Sequence, residues 1–165
     1  MFQRVAPSMA VGLMLCAATA AYGDARVSYL LHCGGCHLPD GSGTPPVVPG
    51  LREELGRIVQ IDGGRDYVVR VPGASQAPIS DRELTDILNW ILLEFNAQTL
   101  PDGYPLLSEQ EVTSARQRVL ADPLKYREEL WQRYDRENPG SLERGTTVYG
   151  QNRPGDAPTQ VRRQQ

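Results

Sequence analysis

Two cysteines and a histidine packed into five residues, Cys33-Gly34-Gly35-Cys36-His37, constrain this chain more than any other feature. The remaining cysteine, Cys16, lies in an apolar stretch near the N-terminus, so no disulfide framework is available to staple a fold together. Both histidines, His32 and His37, sit in the same short stretch. The fold must therefore rest on an apolar core. With 165 residues, 40% of them apolar and 7% aromatic, that core is modest and fits one domain plus tails. The 17 Lys+Arg against 20 Asp+Glu make the chain slightly acidic. That balance excludes nucleic acid as the main partner, because phosphate binding needs a clustered basic surface. A mean hydropathy of −0.41 excludes a polytopic membrane protein.

Residues 1–23 read as a secretory signal peptide. Arg4 is the last charge before Asp24, and between them runs the apolar stretch Ala10–Ala21, ending in the small-residue pattern Ala18-Thr19-Ala20. An uncleaved anchor over Val5–Tyr22 is the alternative, although the strongly apolar part is short for a ~30 Å hydrocarbon core. The places just before Cys16 hold the bulky pair Met14-Leu15, so Cys16 reads as apolar content of the signal rather than as a lipidation site. Cleavage would remove Arg4 and all three methionines, Met1, Met9 and Met14, leaving 16 cations against 20 anions. Export to the periplasm follows, with no stable membrane span after cleavage.

Hydrophobic periodicity predicts helices and no strands. Asp24–Leu38 reads as a short helix running into the cysteine motif, with Val27, Leu30 and Leu31 at i, i+3 and i+4. After the turn-rich loop Pro39–Pro46, the spacing predicts a helix over Leu51–Gln60, broken by Gly63-Gly64. Asp66–Val71 is helix or extended, stopped by Pro72-Gly73. The best-marked helix is Asp81–Phe95, with Ser80 and Glu83 as a capping box and a continuous stripe of Leu84, Ile87, Leu88, Ile91, Leu92 and Phe95. Beyond Pro101, helices over Ser108–Ala121 and Lys125–Tyr134 carry sparser apolar positions, and from Glu137 the polar chain is expected to be disordered. The architecture is all-α: a small helical domain over 24–98, a helical extension over 99–136 and a tail over 137–165.

Cys33-Gly34-Gly35-Cys36-His37 has the C-x-x-C-H spacing that attaches a c-type haem. Two thiols separated by two residues at the start of a helix can both reach the vinyl groups of one porphyrin, and the adjacent His37 then falls under the iron as proximal ligand. A structural zinc site lacks its second ligand pair here. A thioredoxin-type redox pair lacks its alternating strand–helix context. A plain disulfide leaves the histidine unexplained. One covalent haem c is the expected cofactor.

Residues 24–98 resemble a class I cytochrome c beyond the motif itself. Leu38-Pro39-Asp40-Gly41-Ser42-Gly43 is similar to the glycine-bearing stretch after the haem histidine, and Val48-Pro49-Gly50-Leu51 resembles that family's Pro-x-Leu step. The resemblance implies that the Pro49 carbonyl accepts the His37 Nδ1–H bond, fixing the ring and raising its basicity. It also implies that the helix carrying Trp90 packs across the N-terminal one. Fewer than half of the residues are covered, and the extension has no counterpart in the minimal fold.

The sequence departs from the family at the sixth iron ligand. Where a methionine is usual, Pro72-Gly73-Ala74-Ser75-Gln76-Ala77-Pro78 carries Ala77, and no methionine follows Met14. The distal position is expected to be empty, water-filled or held by a weak ligand such as Gln76, with Arg70 the nearest charged group. Alternatively the extension, through Tyr126, Trp131 or Lys125, or a partner chain covers it. The leading expectation is an exported monohaem electron carrier, not an enzyme, working with a periplasmic dehydrogenase. The alternatives are a haem protein using an open distal face for ligand binding, sensing or peroxidase-like chemistry, and a non-shuttling haem subunit of a larger redox complex.

Overall fold

The computed structural model describes residues 20–45 and 47–139, with side chains from residue 25 onward. The expected signal peptide, apart from the helical backbone of residues 20–23, and the expected disordered tail beyond residue 139 lie outside the described residues. Eight helices follow one another among those described: α1 (Ala20–His32), α2 (Gly34–His37), α3 (Glu54–Ile58), α4 (Gly64–Arg70), α5 (Pro72–Ser75), α6 (Asp81–Asn96), α7 (Glu109–Arg116) and α8 (Pro123–Glu137). The fold is all-α, as the periodicity predicts, and none of these helices is long and apolar enough to cross a membrane.

Helix α6 is the spine. Ser80 caps it by accepting from the Glu83 backbone N–H, and its apolar stripe is buried from Leu84 to Leu92. It packs across α1, where the fully buried Tyr29 ring lies 5.1 Å from Trp90 and 5.5 Å, edge-on, from Phe95. Close approach of α3 to the end of α6 depends on Gly56: a Cβ there would lie 2.1 Å from Thr99 Oγ1. Asn96, itself buried, accepts the Gly56 N–H at 3.0 Å and donates to the Leu51 carbonyl at 2.9 Å, so the seam carries satisfied polar groups.

Several expected helices have different bounds, each for a local reason. The predicted Leu51–Gln60 helix shrinks to Glu54–Ile58, because the Leu51 N–H is drawn to Gly41 O and the Glu53 N–H to Phe95 O. Glu53 adopts φ 61° as a result. The predicted Asp24–Leu38 helix is interrupted at Cys33, and Asp66–Val71 resolves as the helix α4. Pro72, read as a stop, instead opens the single-turn helix α5 at the first helical position, where its missing N–H costs nothing. The predicted Ser108–Ala121 helix ends at Arg116, because Leu120 N–H bonds the Arg70 carbonyl and pulls the chain out of helical register. The last helix is longer than predicted, starting behind an Asp122 cap.

The extension shares the core of the preceding helices. Leu107, Val112, Ala115, Leu120 and Leu130 are buried in the same cluster as Ile58, Val69 and Ile87. Helix α7 lies on α4 and α6, and α8 lies on α3 and α4.

Candidate functional site

The cysteine motif occupies the break between α1 and α2. Cys33 N–H still bonds the Tyr29 carbonyl at 2.8 Å, so the first cysteine ends α1, and Cys36 and His37 N–H groups turn back to the Cys33 carbonyl. Both thiols are free; Cys36 is exposed and Cys33 half-buried. Burial, reinforced by the neighbouring Cys36, pushes the Cys33 thiol up to about 11.

His37 Nδ1–H donates to the Pro49 carbonyl at 3.0 Å, which leaves Nε2 as the nitrogen with a lone pair to offer. Burial holds the ring below the ordinary imidazole value, and that outweighs the Pro49 bond; the Arg127 charge acts in the same direction as burial. The ring is thus neutral near pH 7, the form a metal needs. The loop that delivers Pro49 is tight. Gly43 has φ 66°, and a Cβ there would lie 2.6 Å from the Val48 carbonyl oxygen. Thr44 and Val48 close the loop with reciprocal backbone bonds of 3.0 and 3.1 Å.

The residue after His37 is held in an uncommon conformation. Leu38 has φ 63° and ψ 156°, a geometry that costs a non-glycine residue on the order of 1–3 kcal/mol and persists only when its surroundings impose it. Here the Tyr29 hydroxyl donates to the Leu38 carbonyl at 2.6 Å, and Gly43 N–H bonds the His37 carbonyl at 2.9 Å. Sequence reasoning misses Tyr29. Its signal is its place four residues before Cys33, on the buried face of α1.

On the stretch that corresponds to the distal ligand, Gln76 is exposed and Ser75 is buried, its hydroxyl turned to the Val71 carbonyl at 3.1 Å. Arg70 pairs with Asp66 at 2.9 Å and donates to the Arg118 carbonyl, so it serves the junction with the extension. Tyr126 stacks on Tyr67 with ring centres 6.0 Å apart, Trp131 meets Tyr134 edge-on, and Lys125 is exposed. Two arginines of the extension emerge instead. Arg127 is buried and paired with Glu54, and it lies over the Tyr67 ring. Arg116 spans the 75–79 stretch, donating to the carbonyls of Ser75, Ala77 and Ile79 and to the Asp81 carboxylate. Sequence patterning treats such arginines as solvated surface, and only their tertiary partners show otherwise.

The donor set fits a covalently held haem: two unpaired thiols, one half-buried and one exposed, beside an imidazole whose second nitrogen is already committed to a carbonyl. Cys33 and Cys36 would tether the group, and His37 Nε2 would ligate its iron.

Comparison with known proteins points the same way. The chain is 27% identical to cytochrome c-552 of Thermus thermophilus over 117 aligned residues, covering 56% of this chain and 89% of that protein. This is a distant similarity to a c-type cytochrome. A second cytochrome c-552 of the same species matches at 27% over 117 residues, covering 56% of this chain and 79% of that one. No family model and no solved structure matches. The similarity suggests an electron-transfer haem protein, a carrier rather than a catalyst, and it agrees with the small all-α fold.

Proposed function

We propose that this chain is an exported monohaem cytochrome c that carries electrons in the periplasm, with a periplasmic dehydrogenase as its redox partner. The observation that supports it most is the His37–Pro49 bond of 3.0 Å beside two free thiols at C-x-x-C-H spacing. A haem bound there supplies reversible one-electron chemistry at its iron. The chain's own contribution is to hold and tune it. Cys33 and Cys36 fix the group at the end of α1. Pro49 orients the His37 ring and raises its basicity. Tyr29 holds the turn after His37 through Leu38.

The second face of the iron is open in this reading, because Ala77 stands where the resemblance places a methionine and Gln76 is exposed. Lacking a thioether, the iron would have a lower potential and a high-spin ferric state.

Optical spectra of the exported protein, oxidised and reduced, with and without carbon monoxide, test both parts. The expected result is a pigment that survives acid–acetone extraction and a reduced spectrum that shifts on adding carbon monoxide. Pigment lost to extraction removes the covalent haem. A low-spin ferric spectrum with the weak far-red sulfur-to-iron band removes the open face.

A further inference from the structure

The stretch 75–79 is short, and three of its carbonyl oxygens converge on one side chain from another part of the chain. Arg116, at the last turn of α7, donates Nε–H to the Ser75 carbonyl at 2.9 Å, one terminal N–H to Ile79 O at 2.8 Å, and another to Ala77 O. The same guanidinium pairs with the Asp81 carboxylate at 2.8 Å, and Thr113 donates to the other oxygen of that carboxylate at 2.7 Å. A planar, permanently charged fork is suited to hold several acceptors in one geometry. Arg116 is largely covered, with 15% of its side chain exposed, so these bonds compete little with water. Pro78 and a few short-range bonds constrain the stretch locally, and the remaining hold on its path comes from a residue 37–41 positions downstream.

We propose that Arg116 is the positioning residue for the loop beside the open face of the iron, so that the α7 strap sets how readily small diatomic ligands reach it. This rests on the reading of 75–79 as that loop. With the fork in place, the loop moves only when several charge-assisted bonds break together. Without it, the loop keeps only its local turns, such as the Ile79 N–H to Ala77 O bond of 2.8 Å.

The test uses the haem-loaded full chain as wild type, Arg116→Ala and Arg116→Lys. Carbon monoxide association with the ferrous form is timed after flash photolysis, and amide hydrogen exchange is followed at Gln76, Ala77 and Ile79. The expected result is association at least ~10-fold faster in Arg116→Ala, since each charge-assisted bond is worth enough to shift a local opening equilibrium by that factor. The loop amides exchange faster while those in the middle of α6 do not, and Arg116→Lys lies between. A purely global destabilisation would speed all amides together, which overturns the proposal. Association within about twofold of wild type in both variants also overturns it, since that is far below the ~10-fold expected. If Arg116→Ala does not fold, Arg116→Lys carries the same comparison. A haem-loaded wild type that binds no carbon monoxide overturns the open-face reading itself, and this proposal with it.

Discussion

Asn89 pairs both ends of its side-chain amide with the backbone of Leu107: Nδ2–H donates to the Leu107 carbonyl at 3.0 Å, and Oδ1 accepts the Leu107 N–H at 2.8 Å. One α6 side chain thus satisfies both main-chain groups of a buried residue at the start of the extension, where no helix supplies partners. Asn89→Ala leaves two partly buried groups unpaired. It is expected to cost about 2–4 kcal/mol, taking ~1–2 for each, with Asn89→Asp recovering only the N–H half. Urea midpoints of the two variants check this.

The extension should behave as part of the same cooperative unit. Leu130 and Val112 are both fully buried in the common core. Leu130→Ala is expected to destabilise by about 2–5 kcal/mol. A chain ending at Gln98 is expected to lose its sharp thermal transition, as followed by circular dichroism. If that chain melts like the full one, the shared core contributes nothing to stability.

The pair of buried Arg127 and half-buried Glu54 allows a double-mutant cycle. Arg127→Met takes the guanidinium away from the half-buried Glu54 carboxylate and should cost at most about 3–5 kcal/mol, whereas Glu54→Leu leaves Arg127 its other partners, Tyr67 among them, and should cost less. The double replacement should cost clearly less than the sum, since apolar groups of similar size can substitute for a buried pair. Strict additivity in denaturation free energies would contradict the pairing.

Acid should loosen the extension before the core. Hydrogen bonds from Thr113 and then Arg116 hold Asp81 below its ordinary 3.8, and bonds from Ser108 and Arg65 outweigh burial to hold Glu111 below 4.5. Groups with depressed folded values contribute stability that is fully present above their unfolded values and is lost as pH falls through the folded ones. The contribution is therefore expected intact at about pH 6 and to decline below about pH 4.5. Protection factors of the Glu111 and Leu120 amides, with the intrinsic pH dependence of exchange divided out, measure it from about pH 6 to about pH 3; protection that stays constant across that range contradicts it.

What the sequence disclosed and what it hid divide along the range of the interactions. The helix α6 is readable from its Ser80 cap and a stripe of six apolar residues, because capping and periodicity act within a few positions; the expected capping box is only half formed, since the Glu83 carboxylate accepts from the Ser28 hydroxyl at 2.7 Å instead of reaching back to Ser80. The His37–Pro49 bond is readable as well, because both partners lie in one short loop. The true start of α3 is not, since Glu53 is turned aside by the Phe95 carbonyl, a partner 42 residues later in the numbering. Nor are the roles of Arg116 and Arg127, whose partners lie in other parts of the chain. A polar helix with few apolar positions looks the same in sequence whether its arginines face water or a carbonyl cluster. Lys125, Tyr126 and Trp131 stand out by their chemistry, yet the neighbouring Arg127 is the one that reaches Glu54.

The grip that Arg116 exerts on residues 75, 77 and 79 engages carbonyl oxygens, which every amino acid supplies. It is therefore blind to which side chains the loop displays. Substitutions along this segment can accumulate while its course through space persists, and a replacement at Ala77 alone could give or take away a ligand without rebuilding the scaffold. The molecule thereby separates the inheritance of a shape from the inheritance of a chemistry, leaving the latter free to drift.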